Sequence, residues 1–252
     1  MTKSLTIGGK GQYAFLLFDS TMKVVIFNPE NERLLIQILE LLIPGKHIAG
    51  ITFLDKEEQD LVNSGSIAEM LCKDADTGEE FLVKVQNGPQ ENFQDHVLSY
   101  STYPICEHMS QTISRISSQD WMNYSLKSIY VLSLVNFELE HESDDALEDN
   151  YISRYEFRNR NNSELMTKSL NFVIVEMGRM KLNAEDSDKC NSLLEKLIFS
   201  LKHMHEFDRC PESFDEDLLK DLFRATKLAT MSTKTRELYE QNMITELDTL
   251  VE

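Results

Sequence analysis

The sequence is short of basic residues, of glycine and proline, and of long apolar runs, and each shortage excludes something. Lys and Arg total 25 against 43 Asp and Glu in 252 residues, a net charge of −18. Nucleic acids bind proteins chiefly through basic surfaces that release counterions. A broad nucleic-acid footprint is therefore disfavoured, and so is docking on an anionic membrane. A small basic site stays compatible with this count, because net charge does not describe charge distribution. Nine Gly and five Pro exclude collagen-like and low-complexity chains. Cys72, Cys106, Cys190 and Cys210 form no CxxC pair and no zinc-ligand spacing with histidine. They are expected to be reduced thiols, mostly buried. No apolar stretch approaches the roughly 20 residues of a membrane span, and the first ten residues lack the apolar run of a signal peptide. The expectation is a soluble, cytoplasmic protein.

What is present is an ordinary globular mixture, 41% hydrophobic and 9% aromatic. A chain of this length can bury a core without disulfide or metal staples. The elements expected are those of an α/β (α+β) protein, a mixed sheet flanked by helices with a helical extension after it. Residues 13–27 are apolar but weakly periodic and carry no firm assignment. Asn28-Pro29-Glu30 reads as a helix start, followed by Leu34, Leu35, Ile38, Leu41 and Leu42 at helical spacing. Strands are predicted over 48–54, 66–73 and 80–86, the last two joined as a hairpin through Asp74-Ala75-Asp76-Thr77-Gly78-Glu79. Residues 90–116 read as helix with a break at Pro104. Ser128–Phe137 is a nearly continuous apolar run, expected to be a central strand. Residues 138–150 hold seven acids and no Lys or Arg, the composition of a solvated loop. Strands over 151–157 and 169–175 precede three helices over about 193–204, 214–228 and 233–250. The organisation expected is a core over 1–180 and a C-terminal helical extension over 181–252, packed on it.

No phosphate-binding loop, dinucleotide fingerprint, serine-hydrolase elbow or HExxH helix occurs in the sequence. The informative segment is the predicted hairpin. Alternation puts Glu80, Leu82, Lys84 and Gln86 on one face of their strand, with Glu69 on the neighbouring strand. An acid on one strand facing polar residues at alternate positions on the next suits a metal-dependent nuclease. There, two carboxylates hold Mg²⁺ and a Lys or Gln orients the attacking water. The same spacing also fits an ordinary cross-strand Glu–Lys pair on a solvated face.

Beyond spacing, the sequence resembles the PD-(D/E)XK nuclease family transposases, also described as recombination-promoting nucleases, along most of its length. The aromatic-rich Tyr13-Ala14-Phe15-Leu16-Leu17-Phe18 and the helix that ends at Leu42 resemble the family's opening. Glu69, the Asp74–Gly78 turn and Lys84-Val85-Gln86-Asn87 match its central signature. That signature is an acid on one strand and a Glu-x-Gln closing the next. Gln90–Tyr100, Tyr124–Phe137 and Leu170–Met177 resemble its following helix and later strands. The resemblance implies a restriction-endonuclease-like mixed sheet, a Mg²⁺ cofactor, DNA as substrate, and a site at Glu69, Lys84 and Gln86.

The sequence also departs from that pattern. Glu69 stands where the family has Asp, and it can still bind a metal. Lys84 stands where the family has its second acid, Gln86 is kept, and His96 replaces an Arg. An ammonium about 4 Å from a dication is repelled by several kcal/mol even at an effective dielectric of about 20. Lys84 is therefore expected to neutralise Glu69 and leave a metal-free, weakened or inactive site. The alternative is that Glu80 replaces the missing carboxylate, so that Glu69 and Glu80 hold the metal while Lys84 orients water. A second class of function is a non-catalytic relative that keeps the fold and binds a protein or nucleic acid. The C-terminal helices, with Leu238, Met243, Ile244, Leu247 and Leu250 at suitable spacing, serve packing, self-association or a protein partner.

Overall fold

The computed structural model describes residues 11–53, 70–115, 125–141, 143 and 150–251. Among the described residues six strands form one sheet: β1 (Ile51–Phe53), β2 (Met70–Asp74), β3 (Glu80–Gln86), β4 (Ile129–Val135), β5 (Ile152–Glu156) and β6 (Leu170–Glu176). Their order is β1-β2-β3-β4-β6-β5. The central strands β3, β4 and β6 run parallel, and the outer pairs are antiparallel. All seven residues of β4 are buried, as a strand covered on both faces requires. The fold is the mixed, helix-flanked sheet that the sequence suggested.

Seven α-helices surround this sheet among the described residues: α1 (Asp19–Val25), α2 (Glu32–Leu42), α3 (Phe93–Tyr100), α4 (Thr102–Arg115), α5 (Leu193–His203), α6 (Asp217–Thr226) and α7 (Thr233–Val251). One sheet face, with Phe81, Val83, Val85, Leu132, Leu134, Val173 and Val175, packs with buried residues of α1, α2, α5 and α6. Leu82, Val131, Val135, Phe172 and Ile174 on the other face pack with Phe93, Val97 and Tyr100 of α3. The result is a three-layer core.

Local chemistry explains the N-terminal helices. Helix α2 buries Leu34, Leu35, Ile38, Leu39 and Leu42, one stripe at 3- and 4-residue spacing. Its acids are tied to the chain that leads into β1. Glu32 accepts from the Ile51 amide at 2.7 Å and Glu40 from the Ile48 amide at 2.8 Å. Asn28 does two jobs: its Oδ1 accepts from the Glu30 amide, opening a 3₁₀ turn before α2, and its Nδ2 donates to Val24 O at the end of α1. Two boundaries differ from expectation. The strand expected from residue 48 begins only at Ile51. The helical break falls at Ser101, which caps α3, while Pro104 lies in the first turn of α4. A first-turn proline lacks an amide that would have had no intrahelical acceptor, so it does not interrupt the helix. Cys72 and Cys190 are buried, Cys210 is half-buried and Cys106 is exposed, all four free.

The β2–β3 turn is organised by Asp74, which is 4% exposed. Its Oδ1 accepts from the Asp76 and Thr77 amides and the Thr77 hydroxyl, and its Oδ2 accepts from the Ala49 amide. Gly78 supplies the positive φ of +69° that closes the turn. Burial by itself would raise the Asp74 pKa, but the Thr77, Asp76 and Ala49 donors outweigh it and hold it below the ordinary 3.8. A carboxyl with a depressed folded pKa contributes stability above its unfolded pKa and loses it as pH falls through the folded one. Asp74→Ala is expected to cost about 2 kcal/mol at neutral pH, since it strips an ionised acceptor from buried donors. Urea midpoints of both proteins should converge below pH 3.8, and a gap independent of pH would contradict this.

Candidate active site

Lys84 and Gln86 lie at the C-terminal end of β3. Register places them beside Ser133 and Val135 of β4, with Ile174 and Glu176 of β6 one strand further. Alternation puts Lys84 and Gln86 on the same sheet face as Leu82, the face that packs on α3. Described β2 pairs with β3 only from Met70↔Val83 to Lys73↔Glu80, so Val85 reaches beyond it.

Asp19, the first residue of α1, fills that place. Its Oδ1 accepts from the Val85 amide at 2.5 Å, and its Oδ2 forms an ion pair with Lys84 Nζ. The two side chains are only 20% and 11% exposed. One carboxylate thus neutralises a half-buried ammonium and satisfies a strand amide on the β2 side. Helix α7 braces Asp19 from behind. Tyr239, 8% exposed, accepts from the Phe15 amide at 3.1 Å, and Asn242 Nδ2 donates to Ser20 O at 3.2 Å.

Gln86 Nε2 donates to Gly88 O at 3.0 Å, holding the side chain at the strand exit. Beside it, Asn136 N donates to Gln86 O and Asn136 Nδ2 to Asn87 Oδ1, which ties the ends of β3 and β4 together. Glu69 lies outside the described residues, so the expected Glu69–Lys84 pair does too.

Glu80 occupies a different neighbourhood, four residues or about 13 Å back along β3. Its side chain is completely buried, with Oε1 at 3.0 Å from Lys73 Nζ and 3.1 Å from His108 Nε2 of α4. Lys73 reaches Glu107 as well, at 3.2 Å. Burial opposes the Lys73 charge, but Glu80 and Glu107 outweigh it and hold its pKa above the ordinary range. Burial, reinforced by the Glu80 charge, also pushes the adjacent Cys72 thiol far up. This cluster fastens α4 to the hairpin.

The loop after β4 is fastened to the far side of the same sheet end. Glu176, fully buried, accepts from Leu139 N at 2.8 Å and Arg179 Nε at 3.2 Å, and its Oε1 lies 2.5 Å from His141 Nε2. The start of the acidic 138–150 segment is therefore held down at Leu139 and His141. Residues 142 and 144–149 lie outside the described residues.

The described donors at Lys84 do not suit a divalent cation. Asp19 already accepts from a cation and an amide, Gln86 offers an amide, and Lys84 is itself cationic. Among the described residues no three His, Cys, Asp or Glu side chains gather closely enough to hold a metal.

Sequence reasoning missed Asp19. A signal did exist: an acid directly after the aromatic Tyr13–Phe18 segment, where a helix can begin. No helix among the described residues is long and apolar enough to cross a membrane. No curated protein and no solved structure matches the chain. A model of the PD-(D/E)XK nuclease family transposases matches residues 16–251, nearly the whole length. That match spans α1 with Asp19, the β2–β3 hairpin with Lys84 and Gln86, and the closing helices, and the chain belongs to the PD-(D/E)XK nuclease family transposases.

Proposed function

We propose that this chain is a PD-(D/E)XK nuclease scaffold whose DNA-cleaving site is weakened to the point of inactivity. The observation that carries this reading is Lys84, in the family's second-acid position and ion-paired with Asp19. A metal-dependent phosphodiesterase needs two carboxylates converging on one cation. Here a cation of the protein's own takes that space, with Asp19 as a counter-charge. Glu80, the alternative carboxylate, is bound to Lys73 and His108, four residues back along β3. The net charge of −18 supports the same conclusion independently, since it opposes approach of a polyanion. Mg²⁺ and DNA come to this chain from the family alone.

The second reading is a non-catalytic relative that works by binding, and the fully satisfied Lys84–Asp19–Val85 arrangement favours it over residual turnover. The helices after residue 181 are read as an extension integrated with the nuclease-like core. Ala14 N donates to Thr226 O and Leu228 N to Gln12 O, so the two ends of the chain are knitted together.

A plasmid-nicking assay with Mg²⁺ and with Mn²⁺ tests the proposal. The natural chain is expected to nick no faster than Glu69→Ala. Lys84→Glu is expected to gain nicking that a Glu69→Ala change in the same chain removes. Nicking by the natural chain that Glu69→Ala abolishes would overturn the reading.

A further inference from the structure

Among the described residues, strand β5 ends the sheet. Its ladder to β6 fixes which way its backbone points. Glu176 N donates to Tyr151 O, and beyond the strand Met166 N donates to Phe157 O and Asn159 N to Glu164 O, its return partner in the hairpin. Odd-numbered residues therefore direct their backbone groups toward β6 and the returning chain. By alternation Ile152, Arg154 and Glu156 direct theirs the other way, along the sheet's outer edge.

The side chains divide between the two faces in the same regular way. Arg154 and Glu156 lie on the α2 face, where Arg154 Nη2 donates to Leu42 O at 3.1 Å and Glu156 pairs with Arg158. Tyr155 and Phe157 lie on the α3 face, with Phe157 ring-to-ring against Phe172 at 6.3 Å. Tyr155 closes an apolar cleft of about 160 Å³ with Val97, Leu98, Phe172 and Ile174. Around it the surface is apolar to a degree unusual for so charged a chain. Leu98 is 48% exposed, Tyr155 42%, Phe157 40% and Met166 82%. A contiguous apolar patch beside a sheet edge is the surface expected of an interface.

We propose that β5 is the self-association edge of this protein, pairing antiparallel with β5 of a second copy about a two-fold axis through Tyr155. The charge pattern selects both the occupant and the register. Centred on Tyr155, the pairing sets Arg154 of each copy opposite Glu156 of the other, giving two opposite-charge pairs. Those pairs join residues whose backbone groups both point outward, as a hydrogen-bonded pair requires. The two Tyr155 residues meet as the close, non-hydrogen-bonded pair, and Phe157 stands opposite Ser153 on the same apolar face.

Neighbouring registers fail on simple grounds. Centring on Glu156 opposes Glu156 to itself and Arg154 to Arg158. Centring on Arg154 opposes arginine to arginine. A one-residue slip pairs outward backbone with inward backbone. A strand guarded against association carries charges of one sign, whereas Arg154 and Glu156 make this one complementary to itself. The strand order leaves β4 and β6 between β5 and β3, so the Lys84 site stays outside this interface.

Sedimentation velocity on the full chain across a concentration range tests the proposal, with thermal melts beside it. The natural chain is expected to sediment at twice the chain mass. Glu156→Pro removes an amide that β6 does not use and should give a folded monomer that still melts cooperatively, its midpoint lowered only by the lost association. Arg154→Glu and Glu156→Arg, each alone, should weaken the dimer about tenfold or more by opposing like charges. The double exchange Arg154→Glu with Glu156→Arg should restore it. Overturning results are a natural chain that is monomeric at every concentration, a dimer that Glu156→Pro leaves intact, or a double exchange that fails to restore association.

Discussion

Lys84→Glu is expected to melt well below the natural chain in EDTA and to recover much of the difference when Mn²⁺ is added. The ion pair between Lys84 and Asp19 is largely buried, with side chains 20% and 11% exposed. Removing one partner of a buried pair costs about 3–5 kcal/mol, because it leaves the other charge unpaired. Here the substitution also brings a like charge against Asp19. For a chain of this size about 3 kcal/mol corresponds to roughly 6–12 °C in Tm. The same change would place a second carboxylate beside Asp19, facing one point. A cation bound at about 100 times its Kd would return about 2.7 kcal/mol through linkage. The natural chain, with Lys84 in place, is expected to show no Mn²⁺-dependent shift. Melting curves with EDTA and with Mn²⁺, together with a calorimetric Mn²⁺ titration of both proteins, check both halves. Tight Mn²⁺ binding by the natural chain would refute the account of the site.

Gly178→Ala is the second change expected to have a large effect, and its cause is space rather than backbone conformation. A Cβ at Gly178 would lie 2.5, 2.6 and 2.8 Å from the C, Cα and N atoms of Phe137. All three are backbone atoms, so no side chain can rotate away. The contact lies where the turn after β6 crosses the chain leaving β4. It is held from several sides: Glu176 grips Leu139, Arg179 and His141, and the Phe137 ring packs edge-on against Phe93 at 5.4 Å. Displacing Phe137 disturbs that whole corner. We expect a loss of about 4 kcal/mol or more, the range reached by severe overpacking. Against the usual total of about 5–15 kcal/mol this removes roughly a quarter of the stability at the least and most of it at the worst. Gly88→Ala is the control, because a Cβ there meets nothing within 4 Å. Urea midpoints should fall sharply for the first and stay put for the second. Equal midpoints would mean that the crossing relaxes at little cost.

Both expectations bear on how much of this molecule the sequence discloses. The helix stripe of α2, the fully apolar β4 and the Asp74–Gly78 turn were legible because each is a local pattern. Periodicity, continuous hydrophobicity and turn chemistry act within a few residues. The placing of Lys84 and Gln86 on one face of β3 was legible for a similar reason, since it is a short spacing on one strand. Pro104 misled because proline is read as a helix breaker, while its effect depends on which turn of the helix it occupies. Helix α1 went unassigned because it is only seven residues long and its burial is shared with Tyr239 and Met243 far along the chain.

The sequence by itself determined the family and most of the strands and helices, because these depend on residue identity and near spacing. Only the tertiary structure brought Asp19 to the Lys84 charge. Asp19 is 66 residues from Val85 along the chain, and no spacing rule joins them. They meet because α1 packs against the end of β3, where a strand amide beyond described β2 and a half-buried ammonium both call for one carboxylate. The burial of Glu80 under His108 and the Phe137 backbone against Gly178 were settled in the same way. Each is a contact between segments that the sheet order alone brings together.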